Sequence, residues 1–282
     1  MVLFHNKSEL QIHLKNKCRD AGKIALVPTM GALHKGHLSL VTKGIQENRT
    51  VVVSIFINPT QFDKREDLEK YPSTLKKDLE LLATVSEKLI VFAPSVSEMY
   101  PDEVSTKSYN FDGLEDLMEG SFRKNHFNGV ATVVEKLFRI IEPDRAYFGE
   151  KDFQQLAIIK KLVKGVNLSV EVIGCPIVRE GNGLAMSSRN NRLSKENRAI
   201  AGFIYSTLET AKNLFGTKSA LYITDWVKKE FLKHSEFSLE YFEIADEVNL
   251  RPIKKRQDKI KYRAFIAVYL QEVRLIDNMP VN

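Results

Sequence analysis

Two histidines in a glycine-bracketed turn are the side chains of this chain best suited to chemistry. They lie in Val27–Leu40, V-P-T-M-G-A-L-H-K-G-H-L-S-L, where His34 and His37 follow Met30, Gly31, Ala32 and Leu33 and enclose Lys35 and Gly36. Glycine lets backbone approach a ligand with no Cβ in the way. The unpaired amides of a first helical turn favour an anion. On a helical turn residues at i and i+3 face the same way, so the imidazole pair suits charge developing on phosphate. Taken alone, the stretch also reads as a plain strand-to-helix connection with solvated histidines.

Four further segments carry side chains of the same kind. In Asn58–Asp78, Asn58 and Gln61 follow a buried strand, where amides can meet a small polar substrate, although for this segment alone an Asn-Pro turn capping the strand fits slightly better; the charged middle, residues 62–75, reads as a lid. In Glu119–Val134, Arg123 and His126 precede an apolar helix and could bring a cation to phosphate or be surface charges. In Phe148–Leu156, Gly149 permits a sharp exit from a strand, Lys151 offers a point charge, and Asp152, Gln154 and Gln155 can fix hydroxyls; an ordinary helix start reads the same way. In Val178–Ser194, Ser187, Ser188 and Arg189 can wrap outer phosphates, or belong to a serine-rich interdomain loop.

The elements that must position these residues alternate. Ile24–Val27 reads as a buried strand stopped by Pro28; Thr50–Ile57 is a β-branched run without polar alternation; Leu89–Phe92, Asp144–Phe148 and Val170–Ile173 are shorter runs separated by helical stretches. This predicts an α/β fold, a Rossmann-like parallel sheet with helices on both faces, whose ligands sit at the carboxyl ends of the strands. Residues 8–20 read as a surface helix capped by Ser8. Beyond residue 176 the texture changes to helices over Lys195–Phe215 and Ser219–Phe231 and strands over Glu240–Ala245 and Ala264–Leu270. The expected domains are residues 1–176 and a smaller α+β C-terminal domain, 177–282.

The 282 residues are 43% hydrophobic and 28% charged, a globular balance, with a formal net charge of +6 that fits a cleft for small anions. Cys18 and Cys175 lack any metal or disulfide spacing, and neither a secretory leader nor an apolar run of spanning length is evident, so the expected compartment is the cytoplasm and no membrane is involved.

Together the segments resemble the pantothenate synthetase (pantoate:β-alanine ligase) family of HIGH-type nucleotidyltransferases. P-T-M-G-A-L-H-K-G-H is similar to its HIGH signature and M-S-S-R to its KMSKS counterpart, with N-P-T-Q-F, Y-P, H-F-N-G-V and F-G-E-K-D-F-Q-Q-L in order between them. The resemblance implies that ATP, with Mg²⁺, activates pantoate as an adenylate that β-alanine then resolves. It implies catalytic roles for His37, His34 and Lys151. It places ATP at Met30–His37, at Gly149, Glu150, Lys151 and Asp152, at Val178, and at Met186, Ser187, Ser188 and Arg189. It places pantoate at Gln61 and Gln155, β-alanine near Gln61, and a weaker substrate or phosphate contact at Arg123, with Asn58 beside them. Asp78 becomes a candidate contact to a metal held mainly by phosphates. A lid role for the C-terminal domain and a homodimer are implied as well. Asn182, where aspartate is expected, and Ser73, where arginine is, depart from the pattern. The rival readings are a nucleotidyltransferase acting on a phosphate acceptor, which needs no paired glutamines, and an RNA-binding module, which the lack of a basic stripe with interleaved aromatics disfavours; no nucleic-acid partner is expected.

Overall fold

The computed structural model describes residues 1–18, 22–62, 65–69, 71–253 and 255–282. The chain forms two compact units, Met1–Glu150 with Gln155–Pro176, and Lys151–Gln154 with Ile177–Asn282.

The first unit is a six-stranded parallel sheet of β1 (Val2–Phe4), β2 (Ile24–Thr29), β3 (Thr50–Ile55), β4 (Ile90–Phe92), β5 (Arg145–Gly149) and β6 (Glu171–Cys175) in the order β1-β4-β3-β2-β5-β6. The helices are α1 (Lys7–Lys17), α2 (Lys35–Glu47), α3 (Arg65–Glu69), α4 (Leu75–Ala83), α5 (Val96–Met99), α6 (Met118–Phe122), α7 (His126–Ile141) and α8 (Phe153–Gly165), whose first two residues group with the second unit. Val27, Val53 and Val91 line the core with Val41, Leu82 and Tyr147. Buried β-branched strands without alternation are what helices on both faces require, and the α/β architecture is the one expected from the sequence.

Several local expectations are corrected. β2 runs through Pro28 to Thr29. Thr29 and Lys23 turn their carbonyls to β3, which places the proton-less nitrogen of Pro28 on the β5 side, where the ladder has ended at Leu26 and Ala146. α1 is capped by Asn6, not Ser8, because the Asn6 carboxamide accepts the Ser8 and Glu9 amides; positions 19 and 20 of the expected helix lie outside the described residues. α3 forms inside the expected lid, of which residues 63, 64 and 70 also lie outside them. β1 carries no signal in the sequence pattern and is an addition to the expected elements.

The second unit packs α9 (Lys195–Ile200), α10 (Phe203–Leu214) and α11 (Ala220–Phe231) with an antiparallel sheet of β7 (Phe237–Asp246), β8 (Tyr262–Leu270) and β9 (Val273–Pro280). Its core joins Ile204, Leu208, Ile223 and Val227 to Phe242, Ile266, Val268 and Leu275. The stretch expected as one helix is two. At Gly202, between α9 and α10, a Cβ would stand 2.5 Å from the Asn182 carbonyl, so the backbone passes too close for a side chain.

Candidate active site

The turn after β2 is held open from behind. Gly31 and Ala32 have φ of +81° and +50°, a conformation a non-glycine residue keeps only when its surroundings enforce it. Asp78, 2% exposed on α4, supplies that enforcement. Its Oδ2 accepts the Ala32 amide at 3.1 Å and its Oδ1 the Leu33 amide at 2.8 Å, while Thr74 Oγ1 donates to Oδ2 at 3.1 Å. A Cβ on Gly31 would lie 3.1 Å from the same carboxylate. Two successive amides thus fold around one buried acid, which fixes where α2 begins.

His34 is the N-cap of α2, its Nδ1 accepting the Gly36 amide at 3.1 Å, and His37 Nδ1 accepts the His34 amide at 3.3 Å. The ring centroids are 4.0 Å apart. An Nδ1 that accepts leaves the ring proton on Nε2. Both imidazoles therefore carry their proton on Nε2, at the positive end of α2, whose first turn contains no acidic residue. Lys35 is exposed beside them.

Gln61 ends a short 3-10 turn, Pro59–Gln61. Its Nε2 lies 2.9 Å from Met30 Sδ, and its Oε1 accepts from Asn58 Nδ2 at 3.2 Å. His126 Nδ1 and Arg123 Nη2 donate to its backbone carbonyl at 2.8 and 3.3 Å. Arg123 Nη1 also lies 3.1 Å from His126 Nε2. A Cβ at Gly129 would fall 2.2 Å from the Thr60 carbonyl oxygen, so the glycine of H-F-N-G-V lets α7 press against this turn.

Asn58, expected near the substrate, is tied to its neighbours. It is 1% exposed. Its Nδ2 donates to Gln61 Oε1 and to the Gly129 carbonyl, and its Oδ1 accepts from the Tyr100 hydroxyl at 2.7 Å and from Thr60. Asn58 thereby orients Gln61. Asp78, the candidate metal contact, turns both oxygens to the loop.

Gly149 ends β5; Glu150, Lys151 and Asp152 form a 3-10 turn; and Gln155, half-buried, sits in the first turn of α8. Within the second unit, the Val178 carbonyl accepts the Met186 amide at 2.9 Å, and an Arg179–Ala185 bridge closes the hairpin that leads into Met186–Arg189. Ser187 Oγ accepts the Arg189 amide at 3.3 Å and caps the turn Ser188–Arg192. Glu180 braces it, accepting from Asn190 at 2.8 Å and from Arg198 at 2.7 and 2.8 Å. Asn182 donates to the carbonyls of Arg198 and Ala199 at 2.8 and 3.2 Å, bonds a carboxylate cannot donate. Sequence reasoning misses Asp78, Glu180 and Asn190 as loop holders, because a lone polar residue carries no local pattern.

The family model for pantoate-beta-alanine ligase matches residues 2–280. The chain belongs to the pantoate–β-alanine ligase family. A pantothenate synthetase of Christiangramia forsetii is 53% identical, over all of both chains. The pantothenate synthetase of Thermus thermophilus superposes with a TM-score of 0.92 at 39% identity, covering 100% of this chain and 99% of that one. A pantoate-beta-alanine ligase of Francisella tularensis, solved in complex with beta-gamma ATP and beta-alanine, has a TM-score of 0.82 at 34% identity, covering 100% and 98%. This chain is accordingly a ligase of pantothenate biosynthesis, and no helix among its described residues is long and apolar enough to cross a membrane.

Proposed function

We propose that this ligase condenses pantoate with β-alanine at the expense of ATP through a pantoyl-adenylate. In the first half-reaction a pantoate carboxylate oxygen bonds to the α-phosphorus and the bond to pyrophosphate breaks. In the second, the β-alanine nitrogen bonds to the acyl carbon, AMP leaves with the shared oxygen, and the amine loses a proton. The single observation that carries this reading is the His34–His37 pair, with two Nε2–H donors at the N-terminus of α2 behind a turn that Asp78 holds open. Charge accumulates on the α-phosphate and on the departing pyrophosphate, so donors aimed there stabilise the transition state more than the ground state.

His37, with His34, donates to these oxygens, and Met30–His37 cradles the nucleotide. Lys151, with Gly149, Glu150 and Asp152, and the loop Met186–Arg189 with Val178, serve its phosphates and base. Gln61, oriented by Asn58 and Met30, holds pantoate together with Gln155. Arg123 supports Gln61 from behind. Mg²⁺ arriving with the triphosphate would neutralise its charge; Asp78 is assigned to the turn. The Francisella tularensis complex with an ATP species and β-alanine supports both substrates.

ATP–pyrophosphate exchange with Mg²⁺ tests the reading. Exchange that requires pantoate, with AMP released once β-alanine is added, is the expected outcome. Exchange without pantoate, or driven by an amino-acid mixture, would remove the pantoyl-adenylate.

A further inference from the structure

Asp277 and Asn278 are adjacent, 5% and 2% exposed, on a strand whose other buried residues are apolar. Asp277 forms a two-pronged ion pair with Arg179, at 2.6 Å (Oδ2) and 3.0 Å (Oδ1), and accepts the Asn278 amide at 2.7 Å. Arg179 also donates to the Gly183 carbonyl at 2.9 Å and lies over the Tyr205 ring at 4.3 Å. The hairpin carrying Met186–Arg189 is thereby pinned to β9.

Asn278 turns to another segment. Its Nδ2 donates to the Lys151 carbonyl at 2.9 Å, and its Oδ1 accepts from Arg263 Nη1 at 2.6 Å. Arg263 is itself buried, donates to Glu247 at 2.9 Å, and stacks 4.0 Å from the Phe153 ring, which meets Phe265 at 5.9 Å. The four residues Lys151–Gln154 therefore group with β8 and β9, although the chain on either side of them belongs to the parallel-sheet unit. A buried carboxamide with a partner on each face fixes both partners, because leaving either unsatisfied is costly.

We propose that Asn278 is a positioning residue for Lys151, and that Asp277 beside it fixes the Met186–Arg189 hairpin to the same strand, so that two cation-bearing segments share one hydrogen-bonded frame. The hairpin's end is set through Arg179, and Lys151 is set through its own carbonyl. The inference rests on the reading that Lys151 meets ATP phosphate.

The substitution Asn278→Asp tests it. The carboxylate keeps an acceptor for Arg263 but puts an oxygen against the Lys151 carbonyl. The KM for ATP should rise about tenfold, the worth of one neutral hydrogen bond, with the pantoate dissociation constant unchanged. Asn278→Leu, which adds no charge, should do the same, and circular dichroism selects whichever variant folds.

A double-mutant cycle with Lys151→Ala then separates positioning from general damage. In the Lys151→Ala background the Asn278 substitution should change the KM for ATP less than twofold. A full, additive tenfold loss there would show that Asn278 acts otherwise and would overturn the proposal. If Lys151→Ala alone leaves the ATP step intact, the phosphate reading of Lys151 fails and the positioning role falls with it. A change in melting temperature with an unaltered KM would reduce Asn278 to a structural residue.

Discussion

Replacing Asp78 with asparagine changes almost no volume, yet it should disable the turn that carries the histidines. Asp78 Oδ1 accepts one amide, and Oδ2 accepts another amide and the Thr74 hydroxyl. An asparagine presents one acceptor where two are needed. Ala32 has a second acceptor in Thr74 Oγ1 at 3.2 Å, so the new amide should settle with its oxygen on Leu33 and its nitrogen facing Ala32. Losing a charge-assisted bond and crowding a buried N–H together cost about 2–3 kcal/mol. The left-handed Ala32, which carries an intrinsic strain of about 1 kcal/mol, then loses what holds it. Relaxation should displace the His34 cap, and a shift approaching an ångström at the reacting groups lowers the rate by about 100-fold. Urea unfolding followed by circular dichroism, with single-turnover adenylate formation, reads both effects. Unfolding within about 0.5 kcal/mol of the parent, the scatter of ordinary surface substitutions, together with an unchanged adenylation rate would refute the claim that Asp78 holds the turn.

Other consequences are separable. Gly129→Ala puts a Cβ 2.2 Å from the Thr60 carbonyl oxygen; relieving the clash should cost about 1–3 kcal/mol and raise the KM for pantoate more than that for ATP, and equal changes would count against the packing of α7 on the Gln61 turn. His37→Gln should slow adenylate formation by about 100-fold, the usual worth of one donor to a developing charge; an unchanged single-turnover rate would remove His37 from the mechanism. Burial pushes the Glu135 carboxyl up, but hydrogen bonds from Tyr109, Lys107 and Arg139 outweigh it and hold it at about 2, below its ordinary 4.5. A depressed carboxyl stabilises the fold above the unfolded value and stops doing so as pH falls toward the folded one. The parent should therefore lose about 2 kcal/mol between pH 5 and pH 2 that Glu135→Gln never had, a figure reduced for the exposed Lys107 and Arg139 partners; identical pH profiles of unfolding for the two proteins would contradict this.

The architecture is legible in the sequence wherever burial alone dictates residue type. Val51–Val53 and Leu26–Val27 read only as doubly covered strands. His34 and His37 pair from spacing, and their rings do meet. β9 escapes because its alternation, regular at Val273 and Leu275, breaks at Asp277 and Asn278, which are buried for their hydrogen bonds rather than for apolar area. Pro28 reads as a stop because sequence does not reveal that the ladder on one side of β2 has already ended. The local part of Asn58's role, capping the Pro59–Gln61 turn, is legible, whereas its bonds to Gly129 and Tyr100 are not, because those partners are distant in the chain. What local patterning misses throughout is the polar residue whose task is to hold another residue.

The most direct test of the central claim follows the oxygen. Pantoate labelled with ¹⁸O in both carboxylate positions, converted in one turnover with ATP and β-alanine, should yield AMP carrying one labelled oxygen, with the other retained in the pantothenate amide and none in pyrophosphate. Label in inorganic phosphate with ADP as the product, or AMP without label, would contradict attack of the carboxylate on the α-phosphorus and with it the role of the His34–His37 turn in stabilising that attack.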